Sequence, residues 1–107
     1  MGASATIERE VAGWDGVTAE PHRFGGVEFR LGRIELGHLH GDRFADLPFP
    51  KSIRNELIAG GRASVHQPLP NSGWVRKFIN DDGDTRDVIA LFRMNYERIT
   101  NRRAGNS

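Results

Sequence analysis

Residues 27–40 constrain this chain more than any other stretch. Val27-Glu28-Phe29-Arg30-Leu31 alternates apolar and polar side chains, the two-residue period of a half-buried strand. Gly32-Arg33 follows, a two-residue loop with glycine first, which is the pattern of a type II′ turn. Alternation then resumes from Ile34 to His40. A β-hairpin is the reading that satisfies both signals. Counting outward from the turn, Leu31 faces Ile34, Arg30 faces Glu35 and Phe29 faces Leu36. The Arg30/Glu35 pair is then a cross-strand charge pair worth a few tenths to ~1 kcal/mol. The apolar face carries Val27, Phe29, Leu31, Ile34 and Leu36, and by parity His38 and His40 continue it.

Helical periods flank this hairpin. Ser4 is placed to cap a short first helix, with Ile7, Val11 and Trp14 on one face and Gly13 and Gly16 ending it. Residues 17–23 make at best a short strand. Gly41-Asp42 is a turn, and 44–49 a strand that Pro48 confines to an edge or a terminus. Pro50 suits the first turn of a second helix with Ile53, Leu57 and Ile58 inward and Gly60-Gly61 as its stop. After a loop at 68–73, strand 74–79 puts Trp74, Arg76 and Phe78 on one face. Asp84 is placed to cap a last helix over about 85–101, whose stripe is Val88, Ile89, Phe92, Tyr96 and Ile99. The expected class is α+β: an antiparallel sheet with an N-terminal, a middle and a C-terminal amphipathic helix packed on it. The expected organisation is one domain over residues 1–107, frayed from about residue 102.

Composition removes several functions. Fifteen basic and fourteen acidic residues leave a net charge of +1, which disfavours a strongly basic nucleic-acid module. Cysteine is absent, and with it disulfides, thiolate chemistry and Cys-based zinc sites. No apolar run reaches a membrane span, and residues 1–10 lack the pattern of a secretory signal, so no membrane partner and a cytoplasmic location are expected. Phosphate-loop, dinucleotide-binding and nucleophile-elbow motifs are missing.

The residues that can carry chemistry are mainly histidines. His38 and His40 form a His-x-His pair on a strand, with both rings on one face. Such rings can share a metal, bracket a substrate or divide the roles of base and electrophile. They can equally pack at the sheet end with their nitrogens satisfied. His66, before a proline-bounded loop, and Glu35, Asp42 and Asp46 are further polar groups. Trp74 opens its strand and is either core or a stacking platform for a flat ligand. On the apolar face inferred for them, His38 and His40 should be desolvated and mostly neutral at pH 7. No metal and no organic cofactor is expected, with Asp42 as the carboxylate that would overturn this.

Arg33-Ile34-Glu35-Leu36-Gly37-His38-Leu39-His40 resembles the luciferase-domain family, which includes the fungal luciferases and many bacterial proteins. The resemblance runs from about Pro21 to Thr100. It is carried by Glu35, Gly37, His38, Leu39 and His40, by the His-Pro-Leu-like element His66-Gln67-Pro68-Leu69, by Gly73-Trp74-Val75 and by the final helix. Bacterial members are similar also across 21–29 and 46–50. The fungal enzymes oxidise a hydroxylated pyrone with molecular oxygen and require neither metal nor organic cofactor. The resemblance therefore implies His38, His40 and His66 as catalytic candidates, with Glu35, Asp42 and Trp74 as ligand-binding ones. The inserted Gln67 and the short loop before Trp74 depart from the fungal pattern, so light emission and the pyrone substrate are not implied.

Two function classes follow. One is a domain that binds a small planar organic ligand in a His-lined pocket, with acid–base or oxygen-dependent chemistry. The other is a nucleic-acid or protein-interaction module, since the second half also resembles YjbR-type α+β domains; it would use Arg62, Arg76, Lys77, Arg98, Arg102 and Arg103. The oligomeric state is left open.

Overall fold

The computed structural model describes residues 2–22 and 25–105, the side chains of 103–105 excepted. Arg23 and Phe24 of the family-like stretch, the Arg103 side chain and residues 106–107 of the expected frayed tail lie outside the described residues. The elements are α1 (Ala3–Ala12), β1 (Val17–Pro21), β2 (Val27–Leu31), β3 (Ile34–His40), β4 (Phe44–Pro48), α2 (Lys51–Ala59), β5 (Ser64–Val65), β6 (Trp74–Phe78) and α3 (Asp82–Gly105). The strands form one antiparallel sheet in the order β1-β2-β3-β4-β6-β5. This is the α+β architecture expected from the sequence, with the two-residue β5 added. No helix among the described residues is long and apolar enough to cross a membrane.

The two faces of the sheet differ in kind. Phe29, Leu31, Leu39, Ala45, Leu47 and Val75 are buried with Ile7 and Val11 of α1 and Val88, Leu91, Phe92 and Ile99 of α3. The alternate residues of β2, β3, β4 and β6 (Glu28, Arg30, His38, His40, Asp46, Trp74, Arg76) line a cavity. Helices cover one face, and the other is free to carry polar chemistry. α2 packs near the β5–β6 end through Leu57.

The hairpin turns as expected: Gly32 has φ of 65° and no non-glycine residue among those described has positive φ, which fits type II′ and excludes type I′. Its register starts as expected too, with Leu31 opposite Ile34 and Arg30 opposite Glu35. Then it departs. Phe29 pairs with Gly37, not Leu36, so Leu36 is the extra residue of a β-bulge. One inserted residue reverses the parity of everything after it. Leu36 stays in the core, and His38 and His40 move to the opposite face, where His38 lies across from Glu28. The apolar face inferred for the two histidines is therefore corrected.

Two features hold the bulge. Gly37 has φ of 145°, and a Cβ there would lie 2.6 Å from the Asp46 carbonyl oxygen and 2.9 Å from the Phe92 ring. Beyond His38/Asp46, the next in-register partners in the β3–β4 pair would be Gly37/Leu47 and Leu36/Pro48. Pro48 has no N–H to donate. The fully buried Asn95 of α3 supplies the donor: its Nδ2 donates to Leu36 O at 3.0 Å and to Pro48 O at 3.1 Å. Its Oδ1 accepts from Arg98 Nε and Nη2.

Two caps differ from expectation. Ser4 lies inside α1, and its amide donates to Asp42 Oδ1 at 2.7 Å, so a residue of the β3–β4 turn caps the helix across the fold. At α3, Asp81 accepts from the Asp84 amide, while Asp84 reaches back to the Asn80 amide. Asp81 is thus the cap and Asp84 its reciprocal partner. The backbone of α3 is helical to Gly105.

Gly37→Ala should lower stability by about 2–4 kcal/mol, from a disfavoured backbone and a clash with β4. Asn95→Ala should cost about 2 kcal/mol for two buried carbonyls left without a donor. Equilibrium urea unfolding measures both. A Gly37→Ala variant within about 0.5 kcal/mol of the parent would show that the bulge is not required.

Candidate active site: three imidazoles around a buried carboxylate

Asp46 is the centre of the site. It lies mid-strand in β4 between Ala45 and Leu47, which face the core, so its side chain points to the other side. That side chain is 2 % exposed. A carboxylate so buried needs a counter-charge and donors. Arg76, opposite it on β6, supplies both: Nε donates to Oδ1 at 2.7 Å and Nη2 to Oδ2 at 2.9 Å. This two-pronged pair and His38 hold Asp46 well below the usual carboxylate range, against burial, which alone would raise it.

Three imidazoles converge on the same carboxylate. His38 Nε2 and His40 Nε2 each lie 3.4 Å from Asp46 Oδ2, and His66 Nε2 lies 3.3 Å away. His38 and His40 come from alternate positions of β3 next to β4, and His66 from the segment after β5. On its other side, His38 Nδ1 is 2.7 Å from Glu35 Oε2. His22 stacks on His38 with ring centroids 4.0 Å apart. Trp74 lies beside both His38 and His66, at 5.4 and 5.6 Å between centroids. Arg30 contacts Glu28 and donates to the Arg33 carbonyl. These side chains, with Pro68 and the half-exposed Leu69, surround a cavity of about 650 Å³, within the range that small-molecule sites occupy.

The rings differ in protonation. Burial, the largest single influence on His38, lowers its pKa. Hydrogen bonds and charge from Asp46 and Glu35 together outweigh it and raise the group to about 9. His38 is thus an imidazolium at neutral pH, which corrects the neutral ring expected from an apolar face. His40 and His66 are pushed down, first by burial and then by the positive charges of His38 and Arg76. One charged ring and two neutral ones stand around one anion.

Of the residues singled out from the sequence, Glu35, His38, His40, His66 and Trp74 meet in this cavity. Asp42 does not; it caps α1. Asp46 was one polar group among several in the sequence, and Arg76 only a face assignment and a basic residue. The signal for both was available: a charged residue inside an otherwise apolar strand needs a partner, and Arg76 shares the Trp74 face. Glu28 and Arg30 were not legible as site residues. Of the basic residues considered for nucleic acid, Arg76 is bound to Asp46, Lys77 to Asp84 and Arg98 to Asn95.

The sequence model of the Luciferase domain matches residues 33–95, well over half of the chain. The chain belongs to the luciferase-domain family. The matched segment holds the bulge, His38, His40, Asp46, His66, Trp74 and Arg76, while His22, Glu28 and Arg30 precede it. Comparison with curated proteins and with solved structures returned no match.

The His38 charge makes stability depend on pH. The folded chain binds this proton more tightly than the unfolded one, so the contribution is complete below about pH 6.5 and lost as pH rises through about 9. His40 and His66 act with the opposite sign, opposing folding as pH falls below their unfolded values. In chelator-containing buffer, stability should fall by up to roughly 3 kcal/mol between pH 6.5 and above 9. His38→Gln should flatten that slope. An unchanged slope in urea titrations of the variant would mean that another group carries it.

Proposed function

We propose that this luciferase-family domain binds a small planar organic molecule with an acidic hydroxyl, and removes its proton in the cavity. One observation carries this reading: three imidazoles and an arginine converge in a cavity that also has an indole wall. Flat ligands gain from stacking on Trp74 and on the neighbouring imidazole planes. An acidic hydroxyl has a base available in His40 or His66, both held neutral at pH 7. The resulting oxyanion would lie near the positive charges of His38 and Arg76, which are themselves held by Asp46 and Glu35. Oxygen-dependent chemistry on such an anion is what the fungal relatives suggest; the protein's own groups supply the binding and the proton transfer.

A panel of hydroxylated aromatics and pyrones tests the reading by thermal shift and isothermal titration. A member with an ionisable hydroxyl should raise the melting temperature, and its methyl ether should not. Trp74→Ala should weaken binding about tenfold, or roughly 1.4 kcal/mol. His40→Ala should weaken binding of the hydroxyl compound more than that of its ether. Absence of any shift across the panel, or equal binding of hydroxyl and ether, removes the proposal.

A further inference from the structure

We propose that His38, His40 and Asp46 form a site for a divalent transition-metal ion, bound through the two Nε2 atoms and Asp46 Oδ2. This goes beyond the ligand reading and does not depend on it, since no organic molecule enters the argument or the test; with an ion bound, His38 and His40 are its ligands and His66 is the base that remains.

Distances carry the proposal first. Zinc-type ions hold nitrogen and oxygen at about 2.0–2.1 Å in a tetrahedron, whose edges are then about 3.4 Å. Both Nε2–Oδ2 separations are 3.4 Å. A direct N–H···O bond prefers about 2.7–3.2 Å; at 3.4 Å these are weak hydrogen bonds, and the separation also matches the edge between two ligands of one ion. His38, His40 and Asp46 each offer a ligand atom within 4.8 Å of those of the other two.

The surroundings carry it second. A metal-bound imidazole usually donates its other N–H to a carboxylate, which fixes the tautomer. Glu35 stands 2.7 Å from His38 Nδ1, in that position. Arg76 clamps Asp46 through both oxygens, so the carboxylate is oriented before any ion arrives. Coordination through His38 Nε2 displaces the proton that this ring carries at neutral pH; Asp46 and Glu35 then bring two negative charges against the one positive charge of Arg76, an excess that a dication meets. Two imidazoles and one carboxylate suit zinc, cobalt or ferrous iron better than calcium or magnesium.

Three protein ligands leave a fourth position open, the arrangement of catalytic rather than structural sites. His66 stands beside it, Nε2 at 3.3 Å from the same Asp46 oxygen. Its buried Nδ1 has no hydrogen-bond partner among the described residues. Nε2 coordination would leave that Nδ1 proton without an acceptor, so His66 is assigned as a neighbour of the open position rather than as a ligand. A carboxylate is therefore in reach of the His-x-His pair, and it is Asp46, not the Asp42 considered from the sequence. A second grouping, His22, Glu35 and His38, shares His38 but lacks a clamped carboxylate.

The test uses the full chain, stripped with chelator and titrated with zinc and cobalt(II) ions at pH 7.5. One equivalent should bind, and cobalt should give the intense visible absorption of a four-coordinate ion. His40→Ala should weaken binding by about 100-fold or more, with His40→Gln used if the alanine variant does not fold. Glu35→Gln should weaken it about tenfold through His38 alone. Asp42→Asn, at the α1 cap outside the cavity, should leave it unchanged. Absence of saturable binding, or binding lost in His22→Ala and kept in the His40 variant, overturns the assignment.

Discussion

A carboxylate placed in the middle of a buried strand has to be neutralised, and the whole polar face of this sheet is arranged around that need. Removing an ion such as Asp46 from water costs several kcal/mol even after relaxation. Arg76 offsets part of this with a two-pronged bond across adjacent strands. The imidazoles of His38, His40 and His66 surround the remaining oxygen. The electrostatics follow: Asp46 and Glu35 keep a proton on His38, and the charges of His38 and Arg76 help to keep protons off His40 and His66. A cavity containing neutral bases, cations and a flat indole is the chemical result.

The helical face makes this possible from behind. His38 and His40 reach Asp46 because Leu36 is bulged and Gly37 presses against β4 without a side chain. That irregularity breaks the ladder at Leu36 and Pro48, and Asn95 of α3 restores a donor to both carbonyls. Core packing and site geometry are thus one problem. A change at Asn95, on the opposite side of the sheet, would be felt by the histidines through the backbone of β3 and β4.

Local physics was legible in the sequence and long-range physics was not. The type II′ turn at Gly32, the stripes of α1 and α3, and the face shared by Trp74 and Arg76 follow from period and turn chemistry. The register beyond Arg30 does not, because the bulge is set by contacts with β4 and α3, far away in the chain. That single residue placed His38 and His40 on the wrong face and made His38 seem neutral. Asp42 misled for a similar reason: its partner, the Ser4 amide, is 38 residues away. The histidines themselves stood out because His-x-His and His66 sit in family-like elements. Asp46 became central only once β4 and β6 were paired.

The claim that one anion organises three imidazoles can be measured directly through the histidine ring nitrogens. Asp46→Asn removes the charge and keeps the shape, and its folding can be verified by circular dichroism. In chelator-treated protein, nitrogen-detected NMR titrations should show His38 losing much of its elevation from about 9, with His40 and His66 also moving. If His38 titrates as in the parent and the other two rings are unmoved in a folded variant, Asp46 is not the organising charge, and the account of the site is wrong.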